Sequence, residues 1–188
     1  MVRMIRGATS ALLGLALFAG AAQAQTALTF GTGAGLTIPV GDLADFQGLG
    51  WNAQANIGMQ NPMWPVGLRF DFMYHTLSGD DVVDELDIEL PDLQILAGIA
   101  NVELYVARAA NGGGFFIVGG AGVYNFDSEG DDDGESSTDF GVLGGAGYKL
   151  AMTNLLLGIE GKFHHVFADN SVQFIPINVV VEIPLGGR

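Results

Sequence analysis

Few residues in this chain could do chemistry. There are three histidines (His75, His164 and His165) and no cysteine, and 7 Lys and Arg stand against 21 Asp and Glu. His164 and His165 are adjacent, so on a strand they face opposite ways and cannot ligate one metal in regular geometry. His165, Asp169 and Ser171 invite comparison with a hydrolytic triad, yet a His-x-Ser spacing is needed to put base and nucleophile on one strand face, and position 167 is Phe. No nucleophile elbow, metalloprotease helix or paired carboxylate geometry occurs, so no catalytic residue is assigned. The run Asp131-Asp132-Asp133-Gly134-Glu135 is dense in oxygen ligands but lacks EF-hand spacing. Asp131, Asp132, Asp133 and Glu135 are therefore weak candidates for adventitious divalent binding, and the run reads first as a solvated charge cluster. Gly31, Gly33 and Gly35 follow Gly-x-Gly-x-Gly, not the dinucleotide fingerprint, and no Gly-Lys-Ser/Thr follows; no cofactor is expected.

The elements that would hold these residues follow from composition and periodicity. A formal net charge of −14 repels a phosphate backbone and argues against nucleic-acid binding. Mean hydropathy is +0.36, yet after residue 24 no apolar run approaches the roughly 18 residues of a spanning helix. Arg3 and Arg6 precede an apolar stretch from Ala11 to Ala22 that exits through Ala22-Gln23-Ala24, so residues 1–24 read as a cleaved signal peptide. Residues 25–188 then form one domain, exported and without disulfides.

From Gln25 onward the pattern alternates with period two, which predicts an all-β chain. Val66, Leu68, Phe70, Phe72 and Tyr74 share one face of a strand; Gly67, Arg69, Asp71, Met73 and His75 share the other. Trp51, Ala53, Ala55, Ile57 and Met59 likewise oppose Asn52, Gln54, Asn56, Gly58 and Gln60. Leu155, Leu157, Ile159, Phe163 and His165 oppose Leu156, Gly158, Glu160, Lys162 and His164. The other strands are expected over residues 28–38, 93–106, 115–126, 138–150 and 171–183, eight in all. Gly119, Gly120 and Gly122 leave the phase of the fifth strand open. Gly-Gly-Ala-Gly recurs at Gly144, as if the fifth and sixth strands were hairpin partners.

The connections alternate in character. Those at 39–49, 77–92, 127–137 and 168–170 are mostly long and acidic, whereas those near 61–65, 107–113 and 151–154 carry no acid. Asp71, Glu103, Glu160 and Glu182 lie within strands; the remaining 17 of the 21 acids lie in or beside the first group, without a Lys or Arg. Two sides of a membrane would sort loops this way.

An eight-stranded antiparallel up-and-down transmembrane β-barrel satisfies the pattern, because closure removes unpaired edges. With polar faces inward, the lumen collects Arg69, Asp71, Glu103, Lys149, Glu160, Lys162 and Glu182, a near-balanced set that can pair. Gly31, Gly33 and Gly35 would make room for side chains from opposite walls. Trp51, Tyr74, Phe140 and Phe167 fall near the acidic ends and Phe30, Trp64 and Tyr148 near the others, as two aromatic belts.

With the exit Ala22-Gln23-Ala24, the strand Val66-Gly67-Leu68-Arg69-Phe70-Asp71-Phe72, the doubled Gly-Gly-Ala-Gly and the ending Phe174-Ile175-Pro176-Ile177-Asn178-Val179, residues 25–188 resemble the small outer-membrane β-barrel family of OmpA/OmpX type. The resemblance implies a monomer in outer-membrane lipid, inserted from the periplasm by the barrel-assembly machinery, with its long loops outside the cell. Family members commonly end on an aromatic residue, and this chain ends Leu185-Gly186-Gly187-Arg188. The expected role is non-enzymatic, structural or surface-interacting, with an extracellular ligand reached through the acidic loops. A narrow cation-preferring, porin-like channel is the alternative, and a lipid A-modifying barrel enzyme a third.

Overall fold

In the computed structural model the described residues are 27–61, 64–79, 91–109, 113–128, 136–168 and 170–185. The expected signal peptide, the acids at 80–89, Asp131, Asp132, Asp133 and Glu135, Asp169 and the last three residues lie outside them. Eight strands run β1 (Ala27–Val40), β2 (Gln47–Gln60), β3 (Val66–Gly79), β4 (Leu93–Arg108), β5 (Gly114–Ser128), β6 (Ser137–Ala151), β7 (Leu156–Val166) and β8 (Val172–Pro184). Each pairs antiparallel with its sequence neighbour, and β8 returns to β1 (Thr29 opposite Pro184) to close the barrel. The shortest strand, β7, has 11 residues, enough to cross a bilayer at the tilt of such barrels.

Strands β1 to β6 outrun their expected limits, whereas β7 and β8 are shifted by one residue at unchanged length. Pro39, Val40 and Gln47 to Leu49 belong to strands, and a 3-10 turn over Gly41–Asp45 fills the first connection. Backbone pairing extends past the alternating core of β1 to β6 because a neighbouring strand is present to accept it, which local pattern does not reveal. Both chain ends of the barrel and the acid-free connections share one end, here the terminal end; the acidic connections share the other.

The fifth strand takes the phase in which Phe116, Val118, Tyr124 and Phe126 are buried and Phe115, Ile117 and Val123 are exposed. It pairs with β6 as the doubled motif suggested, Gly119 opposite Gly144. Inward glycines permit close packing: a Cβ on Gly147 would meet the ring of Phe116, and one on Gly145 would meet the Gly161 carbonyl and Lys162. At Gly114, where the β4–β5 register shifts between Tyr105 and Ala107, φ is +150° and a Cβ would strike the Ala107 carbonyl, so only glycine fits.

Burial alternates along every strand. Phe72 (58% exposed), Leu68, Phe70, Ile57 and Val102 cover the outer wall, while Asp71 and Lys162 are fully buried inside. The interior holds the seven expected charged residues and an apolar part besides. Toward the acidic end it is filled by Met73, Leu77, Ile95, Ile99, Tyr124, Phe126, Leu143, Val166 and Phe174, with Leu43 of the 3-10 turn, Leu93 and Val172 packed against them. These residues alternate with equally apolar outward ones, so hydropathy alone cannot say which face is inside.

The candidate functional site: a charge network across the bore

Seven charged residues of the strands meet inside the barrel, nearer the terminal end. Arg69 of β3 is the hub. Its Nε and Nη2 donate to the two oxygens of Asp71 (2.7 and 2.9 Å), Nη1 donates to Glu103 (2.7 Å), and Nη1 and Nη2 donate to Glu160 (2.8 and 3.1 Å). All five guanidinium N–H groups are thereby used on three carboxylates. Lys162 of β7 lies 2.8 Å from Glu160 and 3.0 Å from Asp71, and donates to Gln54 at 3.3 Å. Lys149 of β6 donates to both oxygens of Glu103 (3.1 and 2.9 Å) and lies 2.9 Å from Glu182.

The strands carrying this network explain its geometry. Three strands separate β3 from β7 in either direction around the barrel, so Arg69–Glu160 and Lys162–Asp71 cross the full bore as a double bridge. On one strand Arg69 and Asp71 are two apart and therefore on one face, which makes their bidentate contact local. Gln54 donates to Glu160 at 2.9 Å, and Asn178 donates to Gln54 at 3.3 Å. Tyr105 donates to Glu103 at 3.2 Å. The alternating pattern had put Gln54 on the polar face; nothing in the sequence marked Asn178 as its partner, because that contact joins residues far apart in the chain, whereas Tyr105 reaches Glu103 two positions away on the same strand face.

Space in the bore is consumed by neighbours. A Cβ at Gly31 would come within 2.6 Å of Asn56 and 2.8 Å of Glu182, and one at Gly33 within 2.7 Å of the Val179 carbonyl. The room left by these glycines is thus taken by the flanking strands β2 and β8, not by the opposite wall as expected. A cavity of about 10 Å³ against Thr29, Gln60, Arg69, Glu103, Lys149 and Glu182 admits a single water and no solute.

Toward the acidic end, a second cluster crosses the bore. His75 of β3 and His164 of β7 are both fully buried, with ring centres 6.1 Å apart. Thr37 Oγ1 shares a hydrogen bond with His75 Nδ1 (2.8 Å) and accepts one from Asn52 (3.0 Å). Tyr124 shares one with His164 Nδ1 at 2.9 Å. The Phe174 ring lies 4.9 Å from His75 and 4.8 Å from His164. His165 faces the outer wall against Phe167, at 4.8 Å. The adjacent pair is thus split between faces, whereas the histidine that joins His164 is the one 89 positions earlier in sequence. Among the described residues no group of three or more His, Cys, Asp or Glu is arranged to hold a metal.

The outer wall carries aromatic contacts at both ends. Near the acidic end Trp51 and Tyr74 are 5.6 Å apart, and Phe140 stacks on Phe167 at 6.1 Å. Trp64, Phe30 and Tyr148 are exposed near the terminal end. No described helix is long and apolar enough to cross a membrane, which leaves crossing by strands untouched.

No protein-family model and no curated protein matches the chain. Among solved structures it is similar to Neisserial surface protein A (NspA), at TM-score 0.53 and 15% identity over 83% of this chain and 96% of that one. It also matches Ail, the attachment invasion locus protein of Yersinia pestis, solved with the heparin analogue sucrose octasulfate (TM-score 0.48, 15% identity, 84% and 97% covered). A third match is the outer membrane protein OprG from Pseudomonas aeruginosa (0.47, 13%, 88% and 99%). At such identities the likeness to NspA speaks for the fold alone, and the chain has the closed eight-stranded, up-and-down architecture of small outer-membrane barrels.

Proposed function

We propose that this chain is a monomeric, non-enzymatic bacterial outer-membrane barrel with a closed bore, acting as a wall-stabilising or surface-binding protein. The observation that carries the reading is the double bridge of Arg69–Glu160 and Lys162–Asp71, which fills the bore between opposite walls. An apolar plug from Met73 to Phe174 stands above it, so an ion would have to break paired charges and then pass that packed layer. The exposed apolar wall bounded by aromatic residues supports contact with membrane lipid. In this reading residues 1–24 are removed on export, the barrel-assembly machinery inserts the chain from the periplasm, and the terminal end faces that compartment. The acidic connections then lie outside the cell, where their charge meets ligands; divalent cations at Asp131, Asp132, Asp133 and Glu135 are adventitious, and nucleic acid is excluded by charge. The membership in the OmpA/OmpX-type group rests on the sequence motifs.

The test is single-channel recording of refolded protein in planar bilayers, with a parallel screen of lipid A from expressing cells. Electrical silence and unmodified lipid A are expected. Steady cation-selective openings would replace this reading with the channel, and altered lipid A would replace it with an enzyme.

A further inference from the structure

The His75–His164 pair lies outside the charge network and has no part in the role proposed above. Each ring is fixed through Nδ1 by a hydroxyl, Thr37 for one and Tyr124 for the other. Each Nε2 is buried without a hydrogen-bond partner. A buried polar nitrogen is normally satisfied, and these two sit on neighbouring rings that come from opposite walls.

Distance narrows what that is. A direct N–H···N bond would bring the ring centres to about 5.1 Å, and the observed 6.1 Å is too long for it. With a metal–nitrogen bond of about 2.0–2.1 Å and about 1.1 Å from nitrogen to ring centre, two imidazoles on one ion stand about 6.3 Å apart in line and about 5.1 Å apart at the tetrahedral angle. The observed spacing fits the near-linear case, which a four-coordinate zinc ion does not adopt; a water hydrogen-bonded to both rings at about 2.8 Å also fits it, and the test below separates the two. A metal at Nε2 also requires the proton on Nδ1, and Thr37 and Tyr124 each offer an oxygen to accept it, the outer-shell contact typical of ligating histidines.

Charge narrows it further. The lumen holds three cationic and four anionic side chains, so one negative charge is left over. A single positive charge on neutral imidazoles would balance it, whereas a divalent ion would overshoot. We propose that His75 and His164, brought together across the bore, form a two-coordinate site for a soft monovalent cation of the Cu(I) and Ag(I) type. The rings of Phe174 and Tyr124 shield the site. The chain has no cysteine to compete for such an ion, and its thioethers are the only other soft ligands.

The test refolds the full barrel in detergent with one equivalent of Ag(I), removes free ion by gel filtration and measures silver per barrel by mass spectrometry. Stoichiometric retention is expected, falling at least tenfold in His75→Gln and in His164→Gln and unchanged in Met73→Leu. Heat-shifted electrophoretic migration reports that each variant is folded. Should a histidine variant fail to fold, X-ray absorption of the silver-loaded natural sequence decides: a shell of two nitrogens supports the site. No retained silver, which would leave only a water between the rings, retention in the folded histidine variants, or a sulfur shell overturns it.

Discussion

Replacing Arg69 with Met keeps much of the side-chain volume and deletes five charge-assisted hydrogen bonds to Asp71, Glu103 and Glu160. Five such bonds at about 1.5–3 kcal/mol each would sum to well over 7 kcal/mol, but they are not additive. Lys162 still faces Asp71 and Glu160, and Lys149 still faces Glu103, so no carboxylate loses every cation. What is lost is the hub's charge, which takes the buried set from one excess negative charge to two. Breaking a buried pair costs about 3–5 kcal/mol, and that range is the expected loss, at least about a hundredfold in the unfolding equilibrium. Equilibrium urea unfolding of the refolded barrel measures it, followed by fluorescence of Trp51 and Trp64, which sit at opposite ends of the wall. Arg69→Lys should fall between, because a lysine keeps the charge but offers three donors in place of a rigid five-donor fork. In a double-mutant cycle with Glu160→Gln, a coupling of about 1 kcal/mol or more is expected for residues in one network. A loss below about 0.5 kcal/mol for Arg69→Met would refute the reasoning, since it would mean that water replaces the guanidinium at no cost.

Three further outcomes follow from the same architecture. Phe72→Arg, on the exposed wall, should cost about 2–4 kcal/mol in a bilayer and little in a soluble setting; unchanged stability in lipid would argue against a lipid-facing wall there. Gly145→Leu should collapse refolding yield, because its Cβ would run into the Gly161 carbonyl and Lys162, whereas Gly144→Ala, with nothing within 4 Å, should refold like the natural sequence and gain up to about 1 kcal/mol; equal refolding of the two would contradict the assigned faces of β6. Protease added to intact cells should cut between Asp80 and Asp92 or between Asp127 and Asp139, and cutting confined to residues 107–113 would invert the orientation.

Much of this barrel is legible in one dimension because a strand's side chains alternate with period two. Val66 to His75 declared both faces of β3 without reference to any other residue, and the same rule put Asn52 and Gln54 on the inner face and separated His164 from His165. The doubled Gly-Gly-Ala-Gly announced β5 and β6 as partners, since a hairpin joins neighbours in sequence. Alternation is uninformative where both faces are apolar or glycine-rich. Hence β5 showed its phase only when Phe116 and Tyr124 had a closed interior to fill, and the apolar plug around Ile95 and Ile99 could not be told from the wall. Closure decided the rest. Which side chains touch across the bore depends on the strand count and stagger of the whole barrel, so the pairings of Arg69 with Glu160 and of His75 with His164 exist only in three dimensions. Where polar and apolar residues alternate, the sequence by itself determined which of them go inside; the tertiary structure decided the rest and whom they meet there, because contacts between opposite walls carry no local signature in the chain.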